Sequence, residues 1–324
     1  DLEAAQTYDL YASMFPNGNR IDSAYLNIID AYREAGQYDK ANIWVAKTQA
    51  RFSGTETEIN ALHARLRMEV FRANWRAAIK AADELLTRDR FAGSMAYEYE
   101  VKFLKGYAYE RLGERNTAIS VYSSIPASAT SYFGTVATEK ITTLGGNAMF
   151  RENLMRAESK RIARNYPVKY RFELLRYSKF RGIDPRFVLA IMKQESSFRP
   201  NAKSPAAARG LLQLTFDTAL KYKDVGGFST LRADDLYRPD VNIAIGSAYI
   251  AKLKNDFSGL YEAIAASYNG GEDNVARWLK RTTPKDPAIF ASEVGFSESK
   301  KYVFKVMGNY EVYKELYTED LIPK

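Results

Sequence analysis

FVLAIMKQESSFRPNAKSPAAARGLLQL, residues 187–214, is the stretch from which the rest of the chain is read. It opens with an unbroken apolar run, Phe187 to Met192. Asp184-Pro185 precedes it, as an N-cap and a first-turn proline would. A helix apolar on most sides is a buried helix. This one leads straight into Lys193, Gln194 and Glu195. Burial disfavours an ionised carboxylate, so the expected outcome at Glu195 is a raised pKa. A carboxyl protonated near neutral pH is what a general acid requires. After Glu195, Pro200, Asn201, Ser204, Pro205 and Ala206-Ala207-Ala208 break the helical pattern and predict a loop. In Gly210-Leu211-Leu212-Gln213-Leu214 one amide stands among leucines. Gln213 fits a satisfied core amide or a ligand-facing donor and acceptor, and spacing alone favours the former.

Composition bounds the rest. A chain of 324 residues with 46% hydrophobic content can build two domains with real cores. There is no Cys, which excludes disulfides, thiol nucleophiles and Cys-ligated zinc. The one His, His63, lies in the helical pattern 59–71 and reads as a packing or surface residue. The 23 Tyr and 17 Phe serve cores as readily as sugar sites. No apolar run is long enough to span a membrane, and no signal peptide opens the chain. Starting at Asp1 without Met, it is expected to be a processed or trimmed form. Net charge is +8, and all of the excess lies after residue 150, a region that suggests an anionic partner. The basic residues are dispersed, without the interleaved aromatics of a nucleic-acid groove, so nucleic acid is not expected.

Before the central stretch the chain repeats itself. AYREAGQYDKA (31–41), MEVFRANWRAA (68–78) and AYERLGERNTA (108–118) each place a small residue where two helices would turn: Gly36, Ala73 and Gly113. Each then places an alanine, Ala41, Ala78 or Ala118, where the second helix must pack closely. This resembles tetratricopeptide-like hairpins of degenerate, longer period, stacked as an α-solenoid. Residues 1 to about 22 are weakly patterned, with a turn at Pro16-Asn17-Gly18-Asn19. Residues 148–165 form a basic amphipathic helix with Phe150, Leu154, Ile162 and Ala163 as its apolar positions, read as a linker docked between domains. Further helices are expected at 170–181, 242–255, 260–268 and 296–316, with Gly226-Gly227 as a loop within 221–228. No strand is convincing. The expected class is all-α, divided into a solenoid over 1–147, a linker helix over 148–166 and a catalytic domain over 167–324.

From about Tyr166 to Tyr317 the second part resembles the catalytic domain of the soluble lytic transglycosylases, which share the goose-type lysozyme fold. Gln194-Glu195-Ser196 with Phe198, then SPAAARGLLQL (204–214), carry the resemblance first. Asn242-Ile243 with Gly246 and Tyr249, Ser267-Tyr268-Asn269-Gly270-Gly271, and Phe296-Ser297-Glu298-Ser299 with Tyr302-Val303 follow in order. The resemblance implies that Glu195 is the single acid/base and that Ser196 orders its surroundings. It implies that Ser204, Gln213, Tyr268, Asn269, Glu298 and Tyr302 line a glycan groove or hold the carboxyl, which reverses the spacing-based reading of Gln213. It further implies cleavage of the MurNAc–GlcNAc bond of peptidoglycan with 1,6-anhydroMurNAc ends, no metal and no cofactor, and a cell-envelope or periplasmic location, while the solenoid itself reads equally as a surface for a protein partner or as a helical domain with no ligand. The carboxylates of peptidoglycan stem peptides would suit the basic half. The chain departs from the pattern at Thr215-Phe216, where Met-Pro is common, and at Ala206-Ala207, Gly270 and Val294-Gly295.

The chemistry stands without the family. Glycosidases use two carboxylates, ~5 Å apart when retaining and ~6.5–9.5 Å when inverting. Here Glu195 stands out, and its rival Glu298 reads as orienting a loop or a substrate amide. With one carboxylate the substrate must supply the second function. Its 2-acetamido group would stabilise the oxocarbenium-like state, and its C6 hydroxyl would close onto C1 while Glu195 takes the proton. The competing readings are a lysozyme-type hydrolase on the same fold, in which water attacks C1, and a scaffold whose glycan domain only anchors it. A fragment beginning near residue 148 is expected to fold and to turn over short glycans.

Overall fold

The computed structural model describes residues 2–88, 91–282 and 286–324, and over these the chain is all-helical. The helices are α1 (Leu2–Met14), α2 (Ile21–Glu34), α3 (Tyr38–Arg51), α4 (Glu56–Phe71), α5 (Trp75–Leu86), α6 (Glu98–Arg111), α7 (Arg115–Ser123), α8 (Tyr132–Thr143) and α9 (Met149–Ile162). They continue with α10 (Arg171–Tyr177), α11 (Pro185–Ser196), α12 (Phe216–Gly226), α13 (Pro239–Asp256), α14 (Tyr261–Gly270), α15 (Glu272–Leu279), α16 (Pro287–Glu293) and α17 (Ser297–Leu316). Among the described residues, β pairing is limited to isolated bridges such as Lys203–Arg209 and Arg209–Leu214.

The repeat is visible as three helical hairpins whose turns share one device. Gly36, Ala73 and Gly113 have φ of 71°, 55° and 77°, the left-handed conformation that ends a helix. One residue on, the amides of Gln37, Asn74 and Glu114 donate back to the carbonyls of Tyr32, Glu69 and Tyr109 at 2.9, 2.9 and 3.0 Å. Each turn thereby satisfies carbonyls that the helix end would leave open. Ala41, Ala78 and Ala118 are all fully buried, so the second helix of each hairpin does pack through its alanine. His63, on α4, is buried with Nε2 3.0 Å from Glu100 Oε1, as a packing residue.

The chain separates into two compact units whose membership does not follow chain order. The first contains Asp1–Pro126, Ala137–Asn147 and Arg277–Ser297; the second contains Ala127–Val136, Ala148–Ala276 and Glu298–Lys324. Position 147/148 is one of the places where membership changes, and α9 belongs to the second unit. Phe150 and Leu154 on α9 are exposed. The segment 277–297 is fixed in the first unit by charge. Glu293 is 2% exposed and accepts from Arg33 Nη2 and Arg67 Nη1, both at 2.9 Å. Burial alone would raise its pKa, but Arg33, Arg67 and Arg281 outweigh burial and hold it at about 2. A fragment starting near 148 would retain Glu293 without Arg33 and Arg67, so its independent folding does not follow from this arrangement.

In the second unit α11 is the hub. Phe187, Val188, Leu189, Ala190, Ile191 and Met192 are all fully buried. Burying side chains of the larger sizes contributes roughly 1.5–3 kcal/mol each. Asp184 caps α11 by accepting from Arg186 N at 2.9 Å, and Pro185 sits in the first turn. The Phe187 ring lies 4.6 Å from that of Tyr261 and 5.5 Å from that of Tyr310, which ties α11 to α14 and α17. Two elements differ from the sequence expectation. Residues 2–14 are helical despite their weak pattern. Of the pair expected as a loop, Gly226 is still the last residue of α12, which a Thr215 cap opens, and Gly227 closes the helix at φ 95°. Gly226 is no loop signal: an added Cβ there would lie 2.9 Å from Ile245 Cγ1, so the glycine permits close helix packing.

Candidate active site

Glu195 lies in the last turn of α11, with the buried core behind it. Burial pushes its carboxyl up to about 7. A hydrogen bond from Tyr302 works against this rise, and the charge of Glu298 adds to it. Tyr302, buried on α17, donates Oη–H to Glu195 Oε1 at 2.6 Å. Burial, and then Glu195, raise the Tyr302 phenol well above its ordinary value, so it remains a donor throughout the neutral range. With Oε1 thus engaged as an acceptor, the acidic proton belongs on Oε2.

The chain beyond Glu195 is shaped by residues in an unusual backbone region. Ser197, Phe198, Ala207 and Gln213 have φ of 50°, 63°, 60° and 47°. Left-handed non-glycine residues each cost roughly 1–2 kcal/mol and gather where surrounding structure over-determines the backbone. That structure is identifiable. Ser196, 1% exposed, donates to Leu211 O at 2.8 Å and so joins the end of α11 to the 209–214 turn. Tyr268, on α14, donates to Leu212 O at 2.6 Å. The buried Asn242, on α13, accepts from Leu212 N at 2.8 Å and donates to Leu236 O at 2.8 Å and Arg209 O at 3.0 Å. Gly210, at φ 79°, could not carry a Cβ, which would lie 2.1 Å from Leu236 O and 2.3 Å from Asn242 Nδ2. Gly246 leaves room for Leu212 in the same way, an added Cβ falling 2.4 Å from its Cδ1.

The other residues singled out by sequence fall on this frame with distinct parts. Gln213 is half-buried and spends its Nε2 on Gly210 O at 2.8 Å and Ala202 O at 3.1 Å, bracing the turn. Ser204 accepts from Ala208 N at 3.1 Å and closes the small loop before the turn. Asn269 is exposed at the end of α14, its Oδ1 accepting from Ser299 at 2.7 Å. Glu298 is exposed at the start of α17 and close enough for its charge to act on Glu195. Glu195, Tyr302, Tyr268 and Glu298 are thus brought together, while Ser196, Ser204 and Gln213 hold the loop. Sequence reading quoted Asn242 but gave it no part in the site. Its signal was a polar amide in the first turns of an otherwise apolar helix, and three carbonyl and amide partners now account for it. Tyr249, with its ring centroid 5.5 Å from that of Tyr268, was passed over in the same way. Among the described residues, no three His, Cys, Asp or Glu side chains converge as metal ligands would.

Residues 174–290 match the Transglycosylase SLT domain. Around this segment the chain is similar to lytic murein transglycosylases. It is 30% identical over 163 residues to the soluble lytic murein transglycosylase of Escherichia coli K12, a match covering 49% of this chain and 25% of that protein. It is 34% identical over 146 residues to the membrane-bound lytic murein transglycosylase C of Salmonella typhi, covering 39% of this chain and 41% of that protein. The matches therefore span a quarter to less than half of these relatives' lengths. Among solved structures, an inactive mutant of lytic transglycosylase Slt from Pseudomonas aeruginosa superposes with a TM-score of 0.71 at 18% identity, over 95% of this chain and 60% of that one. The 70 kDa soluble lytic transglycosylase of Escherichia coli gives 0.70 at 16% identity, over 99% and 62%. At such identities these structures speak for the fold. Among the described residues, no helix is long and apolar enough to cross a membrane.

Proposed function

We propose that this chain is a peptidoglycan lytic transglycosylase that cleaves the MurNAc–GlcNAc β-1,4 bond and leaves 1,6-anhydroMurNAc ends. The observation that carries the reading is Glu195, a carboxyl titrating at about 7 and steadied by Tyr302 inside the segment that matches the SLT domain. Protonated on Oε2, Glu195 donates to the glycosidic oxygen as the C1–O bond breaks. The substrate's 2-acetamido group stabilises the oxocarbenium-like carbon. Glu195, now a carboxylate, takes the C6 hydroxyl proton as that oxygen bonds to C1, and it is returned to its starting state. Water is neither consumed nor released. Glu298, exposed and without a tyrosine clamp, serves to raise the pKa of Glu195 rather than to attack. Tyr268 keeps the 209–214 turn in place through Leu212, and Tyr302 is the residue that orients the acid. The site of action is the cell envelope or periplasm, where the polymer lies, and the repeat unit carries the contacts to partners.

Mass spectrometry of the products released from purified peptidoglycan tests this. Transglycosylation yields muropeptides one water lighter than hydrolysis products, with ends that borohydride cannot reduce, because a held C6 hydroxyl outcompetes bulk water. Reducible ends as the main product would establish a lysozyme-type hydrolase instead. Binding without any cleavage would establish a wall-anchored scaffold.

A further inference from the structure

The first unit holds two clefts that share Arg281. One, of about 250 Å³, is lined by Arg33, Arg277, Lys280 and Arg281 with Glu34 as its acid, and by the rings of Tyr38 and Phe71. The other, of about 210 Å³, is lined by Arg67 and Arg281 with Asp30 as its acid, beside Asn60, Leu26 and Gly295. Cations outnumber acids in both. Arg281 reaches Asp30 at 3.4 Å and also pairs with Glu34, and Arg33 and Arg67 are committed to Glu293. Donors remain. Nε of Arg67 and Nε of Arg281 are buried and have no acceptor, and Arg67 is only 8% exposed. The Trp278 indole Nε1, likewise without an acceptor, lies where a Cβ on Gly295 would be 2.7 Å away. Burial, and then the neighbouring Arg67 and Arg281, hold Arg33 below its ordinary value despite Glu293. The mutual repulsion of the guanidiniums that line these clefts would be offset by a bound oxyanion.

We infer that the two clefts lined by Arg281 bind a carboxylate, supplied by the stem peptide of the glycan polymer. The chemistry narrows the ligand. Planar guanidiniums meet a carboxylate through paired N–H donors. Asp30 and Glu34 within the same clefts weigh against a dianion such as phosphate. Tyr38 and Phe71, with centroids 6.4 Å apart, offer an apolar wall to an aliphatic side chain next to the carboxylate. Arg277 and Lys280 line the first cleft and are exposed, so they stand at its rim. The identity of the ligand rests on the proposed function; the site itself rests on the side chains named here.

The test uses the full chain and two probes, a synthetic N-acetylated stem tetrapeptide with free carboxylates and the same peptide fully amidated. Calorimetric titration should show the free acid binding at least about tenfold more tightly than the amide, as a charge-assisted pair would give. The double variant Arg277→Gln with Lys280→Gln changes only exposed rim positions, and it should lose about tenfold for the free acid and little for the amide. The same variant should cleave peptide-stripped glycan strands at the unaltered rate and peptide-bearing sacculi more slowly. Equal affinity for the two probes, unchanged binding by the double variant, or no saturable binding at millimolar peptide would overturn the site. Failure of the chain to cleave any glycan, with carboxylate-dependent peptide binding intact, would remove the proposed activity and leave the site standing.

Discussion

Two glutamates, one in each unit, the first half-buried and the second buried, follow the same Asp-Pro helix start and end in opposite states. Asp184-Pro185 opens α11, which runs through a buried core to Glu195. Asp286-Pro287 opens α16, which runs through a buried core to Glu293. In both helices the aspartate caps by accepting backbone N–H groups, at 2.9 Å from Arg186 and 2.9 Å from Ala288. Yet Glu195 titrates at about 7 and Glu293 at about 2. Burial acts in the same direction on each. The partner decides: a phenol can only lower the pKa of Glu195 a little, whereas Arg33, Arg67 and Arg281 together reverse the effect of burial on Glu293. One carboxyl is thereby fitted for moving a proton, and the other is a fixed charge that closes a fold.

Breaking each carboxyl in turn should separate the two roles. Glu195→Gln should lower the turnover rate by about 10²–10⁴-fold or more, since it removes both the acid and the base step. It should leave the fold intact, which chemical denaturation would establish. A variant that retained a tenth of the wild-type rate would end the case for Glu195 as the proton carrier. Glu293→Gln should do the reverse. It strands Arg33 and Arg67 in the interior, and unfolding in urea should show a loss of about 3–5 kcal/mol. Turnover per folded molecule should hold. The fragment 148–324, which suffers the same loss of partners, should be less stable still and aggregate on concentration.

Titration sharpens the contrast. The folded pKa of Glu195 is raised from 4.5 to about 7, so the native state keeps a proton that the unfolded chain releases. Its contribution to stability is fully present below about pH 4.5 and is lost as pH rises through about 7. The stability slope over that window should vanish in Glu195→Gln. Activity that needs the acid should fall above about pH 7. The Tyr302 hydrogen bond lowers the pKa of Glu195 and the Glu298 charge raises it. Tyr302→Phe should therefore move the alkaline limb of kcat/KM upward, and Glu298→Gln should move it downward. Shifts in the same direction for both variants would contradict this electrostatic arrangement.

The smallest effect concerns the repeat. Ala73 occupies the left-handed position that Gly36 and Gly113 fill in the other two hairpins. Ala73→Gly should raise stability by about 1 kcal/mol, because the strain of a Cβ at positive φ exceeds the entropy lost by glycine. Thermal denaturation would detect it, and a fall in Tm would show that the turn is not under strain.

What the sequence disclosed follows from how local each cause is. The hairpin turns and the α11 cap depend on neighbours in the chain and were legible, and the apolar run before Glu195 was enough to signal a raised acid, although Tyr302 and Glu298, which tune it, are far from it in sequence. The opposite state of Glu293 was not, because Arg33 and Arg67 lie more than two hundred positions away along the chain. Gln213 was ambiguous for a different reason: its bonds to the nearby Ala202 and Gly210 arise only once the loop has closed. Tyr268 and Tyr302 came from resemblance, and only the geometry divides their work, one on Leu212 and the other on Glu195. Gly226 misled because it serves packing against Ile245 rather than a turn.

The placement of Arg277–Ser297 in the first unit has a consequence in time. A chain made from its N-terminus at roughly 5–20 residues per second leaves the 129 residues from 148 to 276 to be synthesised before this segment begins, a delay of roughly 6–26 s. Through that interval the hairpins stand without Glu293, and Arg33 and Arg67 remain hydrated. The repeat unit then closes only when its last segment docks, a long-range step that pays loop-closure entropy before any contact rewards it. Refolding of the whole chain should accordingly show the repeat unit maturing late, although it is the first to be made.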